Sequence, residues 1–316
     1  MNKIIKKILQ ALLTMFLVSL IIYLMFEIIP GDPILAKLGE VSDPALEASL
    51  RLQYGLDKSG IERYFIWIMG IFRGDLGTSI RFNVPVNELI GSRLINTFSL
   101  AMFSMVLIVC IGIPVGILIA KNSKKTSGFI FNMLTQLGTS IPSFFLAIVL
   151  ILIFSIQLKW FNVISFVPIT EGILPFLKGL VLPSVAIAIG SIATVARYTR
   201  TSVLEEMSMD YVKTAKNKGI SNNGILYRHV LPNTLVRVIT IIGLTVSSIL
   251  GGAIVIESVF SIPGIGSLLH VAIKSRDLPL VQGISLYITF VVVIIFMILD
   301  ILYVAIDPRM TVEGGK

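Results

Sequence analysis

The stretch DYVKTAKNKGISNNGILYRHVLPN, residues 210–233, lies between two long apolar runs and carries more local signals than a connector needs. Asp210 can cap a helix running from Tyr211 to Lys218, with lysines near its end to complement the helix dipole and Gly219 to take the left-handed position that closes it. After the turn residues Ser221-Asn222-Asn223-Gly224, the residues Ile225, Leu226, His229 and Val230 recur at helical spacing, and Pro232 follows. Upstream, Ser202 and Glu205 have capping-box spacing and predict a separate helix start. The segment reads as short helices with one apolar face. A basic amphipathic loop lying on a membrane surface and a docking surface for a partner protein both fit that pattern.

The sequence on either side is membrane-like. Of 316 residues, 55% are hydrophobic and 14% charged, and mean hydropathy is +0.92. Six apolar runs approach the length needed to cross a hydrocarbon core: residues 8–29, 97–120, 129–156, 180–196, 238–256 and 280–306. Pro114, Pro142 and Pro183 fall inside them and predict kinks rather than breaks, because neighbouring helices and side chains can satisfy freed backbone groups. Lys3, Lys6 and Lys7 precede a long first run with no small-residue cleavage pattern, so it is expected to be retained.

Positive charge sets an orientation. Lys121, Lys124, Lys125, Arg197, Arg200, Arg228 and Arg237 share one side with both termini, whereas the opposite short loops hold Lys159, Lys178, Lys274 and Arg276. Both termini and the 200–237 loop are therefore expected in the cytoplasm, and the net charge of +8 reports topology rather than nucleic-acid binding. Cys110, the sole cysteine, has no intrachain partner and is expected to pack within the second span.

Outside the spans, Leu50–Asp57 and Tyr64–Gly70 read as short helices against the membrane. Glu257 and Asp300, near the ends of the fifth and sixth spans, are the candidate substrate or gating carboxylates, with solvated helix ends as the alternative; Glu27 is read the same way. His229 and His270 fall on opposite sides and lack ligand-spaced partners, so no metal site is expected. Pro263-Gly264-Ile265-Gly266 reads as a tight turn, and no G-x-x-x-x-G-K-S/T pattern occurs, which leaves the chain without visible means of hydrolysing ATP.

The 210–233 stretch resembles the inner-membrane permeases of binding-protein-dependent ABC importers, whose loop motif is EAA, three residues, Gly, nine residues, I-x-L-P. Lys213-Thr214-Ala215 occupies the EAA slot, Gly219 the glycine and His229-Val230-Leu231-Pro232 the final tetrad. Lys213 and Thr214 depart from Glu and Ala, and the form Asp210-Tyr211-Val212-Lys213-Thr214-Ala215 to Lys218-Gly219 is similar to the oligopeptide, dipeptide and nickel branch. So are Pro30-Gly31-Asp32-Pro33, Tyr54-Gly55-Leu56-Asp57, Gly74-Asp75-Leu76-Gly77, Ile141-Pro142-Ser143-Phe144, Glu257-Ser258-Val259-Phe260, Arg276-Asp277-Leu278-Pro279 and Asp307-Pro308-Arg309. Phe296 stands where that branch implies Asn.

The resemblance implies an all-α membrane protein with six transmembrane helices, the type I ABC importer permease fold. It implies a first helix over 1–30, an extracytoplasmic stretch with short helices over 31–95, a five-helix core over 96–306 containing the coupling loop 200–237, and a tail over 307–316. The expected ATPase-coupling residues are Asp210, Tyr211, Lys213, Thr214, Ala215, Lys218, Gly219, His229, Leu231 and Pro232. Tyr211 and Ala215 would be buried in the partner, and bulk at Gly219, as in Gly219→Asp, would abolish coupling. The expected partners are a homologous permease, two cytoplasmic ATPases that use ATP and Mg, an extracytoplasmic binding protein and lipid; this chain is expected to bind no cofactor. Peptide is the expected cargo, nickel or a metal chelate the alternative. An ion-coupled secondary transporter would need mid-span carboxylates, which the sequence lacks.

Overall fold

A computed structural model describes residues 3–28, 32–38, 44–162 and 166–306. Among the described residues the regular structure is helical, apart from one isolated bridge pairing Thr78 with Pro85. In chain order the helices are α1 (Lys3–Ile28), α2 (Pro33–Leu38), α3 (Pro44–Gln53), α4 (Gly60–Phe72), α5 (Val86–Lys121), α6 (Thr126–Ser140) and α7 (Ser143–Leu150). They continue with α8 (Ile173–Met207), α9 (Asp210–Asn217), α10 (Asn222–Ile225), α11 (Leu231–Val259), α12 (Ile265–Lys274) and α13 (Leu278–Ile306). Two π-helical segments, Ile151–Gln157 and Leu226–Val230, extend α7 and join α10 to α11.

Among the described residues five helices are long and apolar enough to cross a membrane, six if a bent pair counts as one span. The bent pair corrects the third expected span. α6 and the helix Ser143–Gln157 meet at 100°, because Ile141 and Pro142 are both extended. Proline disfavours the helical region for its predecessor, and the hydroxyls of Thr139 and Ser140 both donate back to the Gln136 carbonyl in the preceding turn (2.9 and 3.1 Å). Pro114 and Pro183 lie inside unbroken α5 and α8.

The chain divides into two compact units, Met1–Thr97 with Pro263–Ile294, and Phe98–Ile262 with Ile295–Lys316. The second is built around α8, 61% of whose apolar window is buried against 33% or less in the other four spans. Its core joins Leu180, Ala186, Ile187 and Val195 of α8 to Leu100 and Ile108 of α5 and to Val238, Ile249 and Ile256 of α11. Small residues let the backbones approach: a Cβ on Gly116 would come 2.6 Å from the Ala196 carbonyl oxygen. Cys110, expected to pack, is exposed on α5.

The first unit is organised by two contacts. α4 lies along the end of α1, where the Ser19 and Tyr64 hydroxyls bond at 2.9 Å, the Tyr23 hydroxyl donates to the Gly60 carbonyl, and Arg63 forks onto both Glu27 oxygens (3.1 and 2.9 Å). Elsewhere Val86 and Ile90 of α5 pack with Ile265, Leu268 and Ala272 of α12 and Leu280 and Ile284 of α13. That packing is why α5 begins at Val86 rather than at the expected Thr97. Beside it, fully buried Asp277 accepts from the Ser79 hydroxyl and from the backbone amides of Ile80 (3.2 Å), Arg81 (3.0 Å) and Leu280 (3.3 Å).

Further expectations change at local scale. The helix expected over Leu50–Asp57 ends at Gln53, closed by left-handed Gly55 and the bond from the Leu56 amide to the Arg51 carbonyl. The expected turn at Pro263–Gly266 opens α12; its amide at Ile265 is taken by the Thr97 hydroxyl at 2.8 Å and that of Gly264 by Ser267 at 3.0 Å. Asp307-Pro308-Arg309, the tail 307–316 and Pro30-Gly31 lie outside the described residues.

Candidate functional site

The 210–233 segment is a short helix held on a platform. α9 starts after extended Met209, so Asp210 occupies the first helical position rather than the cap, and its carboxylate takes Lys213 at 2.8 Å. The C-terminal end closes by two bonds across left-handed Gly219 (φ +78°), from the Gly219 amide to Lys216 and from the Ile220 amide to Ala215. A side chain at 219 would meet nothing within 4 Å. Within this chain the constraint at position 219 is therefore the positive φ, which Asn and Asp tolerate better than other L-residues, rather than bulk.

One face of α9 is buried within the chain's own structure. Val212 and Ala215 pack with Ile117 and Ala120 of α5, Val203 of α8, and Ile225, Leu226 and Val230. Ala215 was expected to face a partner; it anchors the platform instead. The opposite face carries Asp210, Lys213, Thr214 and Asn217, all exposed, with Tyr211 and Lys218 exposed along its flank. Exposed Met209 and Ile220 lie at its two ends.

Beyond Ser221, whose side chain caps Gly224 at 3.2 Å, α10 runs without a break into the π segment and α11. The wide π turn fits the sequence, because Pro232 has no amide to donate to the turn below it. His229 lies in that π turn, half-buried, Leu231 packs against the platform core, and Pro232 is exposed.

The ten expected coupling residues thus share one region, but the residue that ties it together is Glu206, which sequence reasoning missed. Only 5% exposed, its Oε1 accepts from the Tyr211 hydroxyl at 2.9 Å and from the Asn233 side-chain amide at 3.1 Å, while its Oε2 pairs with Arg237 at 3.1 Å. Arg237 also reaches Glu205 at 3.3 Å. One carboxylate therefore joins the end of α8, the start of α9 and the first turns of α11. Burial, and then the bond to Glu206, push the Tyr211 phenol above its ordinary pKa, so it stays a donor at neutral pH. The capping box expected at Ser202 does not form. Thr199, Ser202, Val203 and Glu206 are all buried at helical spacing and hold α8 helical to Met207. That same spacing is the signal that could have singled out Glu206.

The weaker candidates fall elsewhere. Glu257, expected at a solvated helix end, is fully buried in α11 and makes interactions there. Glu27 is bound to Arg63. Asp300 lies in α13, but its side chain is outside the described residues.

Helices of spanning length packed on a central helix, with a short helix exposed at their end, define a multi-span membrane protein. Residues 112–312 match the family described as the binding-protein-dependent transport system inner membrane component, and residues 1–101 match its N-terminal membrane component. The chain belongs to this family of inner-membrane permeases. It is 37% identical over 306 residues to a permease protein named for a peptide transport system in Brucella suis biovar 1, covering 97% of this chain and 98% of that one. It is 33% identical over 313 residues to the oligopeptide transport system permease protein AppB of Bacillus subtilis, covering 97% and 98%. The fold is similar to a chain of the MetNI methionine ABC transporter in inward-facing conformation, with a TM-score of 0.53, 15% identity and coverage of 69% of this chain and 96% of that one. The fold is that of a type I ABC importer permease.

Proposed function

We propose that this chain is a permease subunit of an ATP-driven importer of di- and oligopeptides, and that α9 is the helix through which ATPase subunits move it. Peptide transport in the names of relatives that match along nearly the whole chain supports the cargo. The observation that carries the coupling role is the outward display of Lys213, Thr214 and Lys218 on a helix bonded through Tyr211 and Glu206 to α8 and α11.

In this reading a homologous permease completes the pathway, two cytoplasmic ATPases bind ATP and Mg beneath α9, and an extracytoplasmic binding protein delivers peptide. The chain itself hydrolyses nothing and binds no cofactor, and both termini are cytoplasmic. When the ATPases close on ATP, force on the outer face of α9 reaches α8 through the Tyr211–Glu206 bond and α11 through Asn233 and Arg237. Because Val212 and Ala215 anchor the inner face, α9 moves with the spans, which biases an inward-open state toward an outward-open one. Reconstitution with the ATPases and the binding protein tests this. Peptide uptake should require ATP, and peptides should co-purify with the binding protein by mass spectrometry. Uptake without ATP would overturn the class, and a metal chelate in place of peptides would overturn the cargo.

A further inference from the structure

Within the unit formed by Met1–Thr97 and Pro263–Ile294 lies a cavity of about 980 Å3, the size of a site for a small organic group. Three residues on its lining carry a buried donor with no acceptor among the described residues: Arg63 at Nε, Trp67 at Nε1 and Gln282 at Nε2. The Gln282 side chain is 97% buried by its 3% exposure. A buried donor left unsatisfied costs about 1–3 kcal/mol, and native proteins hold few of them. Three on one cavity wall point to an occupant rich in acceptors.

The charges agree. Lys58, Arg63, Lys274 and Arg276 line the cavity against Glu27 and Asp75. Both acids are already engaged, Glu27 by the Arg63 fork and Asp75 by the Gly77 amide at 2.8 Å. Lys274 is exposed and Lys58 reaches only Glu62, at 4.0 Å.

Position selects the kind of anion. Tyr23, on the cavity wall, lies inside the apolar window Lys7–Met25, and Glu27 lies just past it. α4 packs back along α1 from that level, with Ile61, Phe65, Met69 and Phe72 exposed at 75, 62, 64 and 83% in one stripe of helical spacing. Such a stripe, beside an aromatic and basic cluster at the end of a span, suits acyl chains next to headgroups.

We propose that this cavity holds the phosphate-bearing headgroup of an anionic phospholipid from the leaflet at the C-terminal end of α1. Arg63, Trp67 and Gln282 donate to the phosphate oxygens, Lys58 and Lys274 supply charge, and the acyl chains lie along the α4 stripe. The inference does not depend on the cargo or on α9.

Native mass spectrometry and thermal unfolding of the assembled complex, delipidated and then titrated with phosphatidylglycerol or phosphatidylcholine, provide the test. Phosphatidylglycerol should be retained at least fivefold better and should raise the unfolding temperature. In Trp67→Phe and, separately, Gln282→Leu, retention of phosphatidylglycerol should fall at least threefold while unfolding in lipid-free detergent stays at or above the unsubstituted value, and in Lys58→Gln with Lys274→Gln the preference over phosphatidylcholine should fall towards parity. Equal retention of the two lipids by the unsubstituted complex, or unaltered phosphatidylglycerol retention in both the Trp67 and the Gln282 variant, would overturn the proposal. So would stabilisation of equal size by inorganic phosphate or glycerol phosphate, or by an oligopeptide alone, since the occupant would then not be lipid.

Discussion

Two buried carboxylates hold two parts of this molecule in different ways. Asp277 gathers one hydroxyl and three backbone amides, most of them from residues 79–81, nearly two hundred positions away. Glu206 gathers three side chains, one of them Arg237, from residues within 31 positions. A carboxylate bound by backbone amides fixes the path of the chain. One bound by side chains can release or exchange a partner without unwinding a helix. The first arrangement suits an immobile joint, the second a joint that carries load between helices, and only the second connects to an exposed helix.

The contrast is sharpest at Asp277. Asp277→Ala strips the acceptor from buried amides and should cost about 3 kcal/mol, seen as a large fall in unfolding temperature and in folded yield from detergent. The ATPase rate per folded complex should stay near the unsubstituted value. Glu206→Gln should do the reverse, since it keeps an acceptor for Tyr211 but ends the ion pair with Arg237, which retains Glu205. We expect substrate-stimulated ATP hydrolysis to fall about tenfold, equivalent to about 1.4 kcal/mol, with a smaller loss of stability. If both variants lost only stability, the two joints would be alike.

A smaller effect is expected at Gly219. Gly219→Ala should cost about 1 kcal/mol through its positive φ, whereas Gly219→Asn and Gly219→Asp should cost less and retain most coupling. Comparing stimulated hydrolysis across the three separates backbone strain from bulk, which meets nothing within 4 Å in this chain at position 219.

The smallest effect concerns pH. Because the folded Tyr211 pKa is raised, the Tyr211–Glu206 bond is fully present below the ordinary phenol value of about 10 and weakens only as pH rises through the higher folded value. Stimulated hydrolysis should therefore show no loss attributable to Tyr211 between pH 7 and 9, and Tyr211→Phe should lower it by a constant factor across that range.

Much of this was legible in the sequence because it is local. Apolar length gave the spans, and Gly219 after a run of lysines gave the end of α9. What escaped depends on contacts between distant residues. Pro114, Pro142 and Pro183 look alike in sequence, yet only Pro142 follows two hydroxyl residues that bond back into the preceding turn and let α6 stop. Ser202 and Glu205 matched a capping pattern, but burial of Thr199, Val203 and Glu206 kept α8 intact. Glu206 was hidden for the same reason: its partners lie on two other helices, α9 and α11, up to 31 positions away. Ala215 sits in the motif slot, but whether it faces inward or outward depends on the platform beneath it.

The central claim is that the outer face of α9 meets the ATPase. In a Cys110→Ser background, which removes the one exposed native thiol, Lys213→Cys replaces a side chain that is 72% exposed on that face. A short bifunctional thiol reagent should join it to a cysteine in the ATPase subunit of the assembled complex, with a yield that changes between nucleotide-free and ATP-bound states. An assembled, ATP-hydrolysing complex that gave no such crosslink from position 213, nor from Lys218→Cys, would contradict the account.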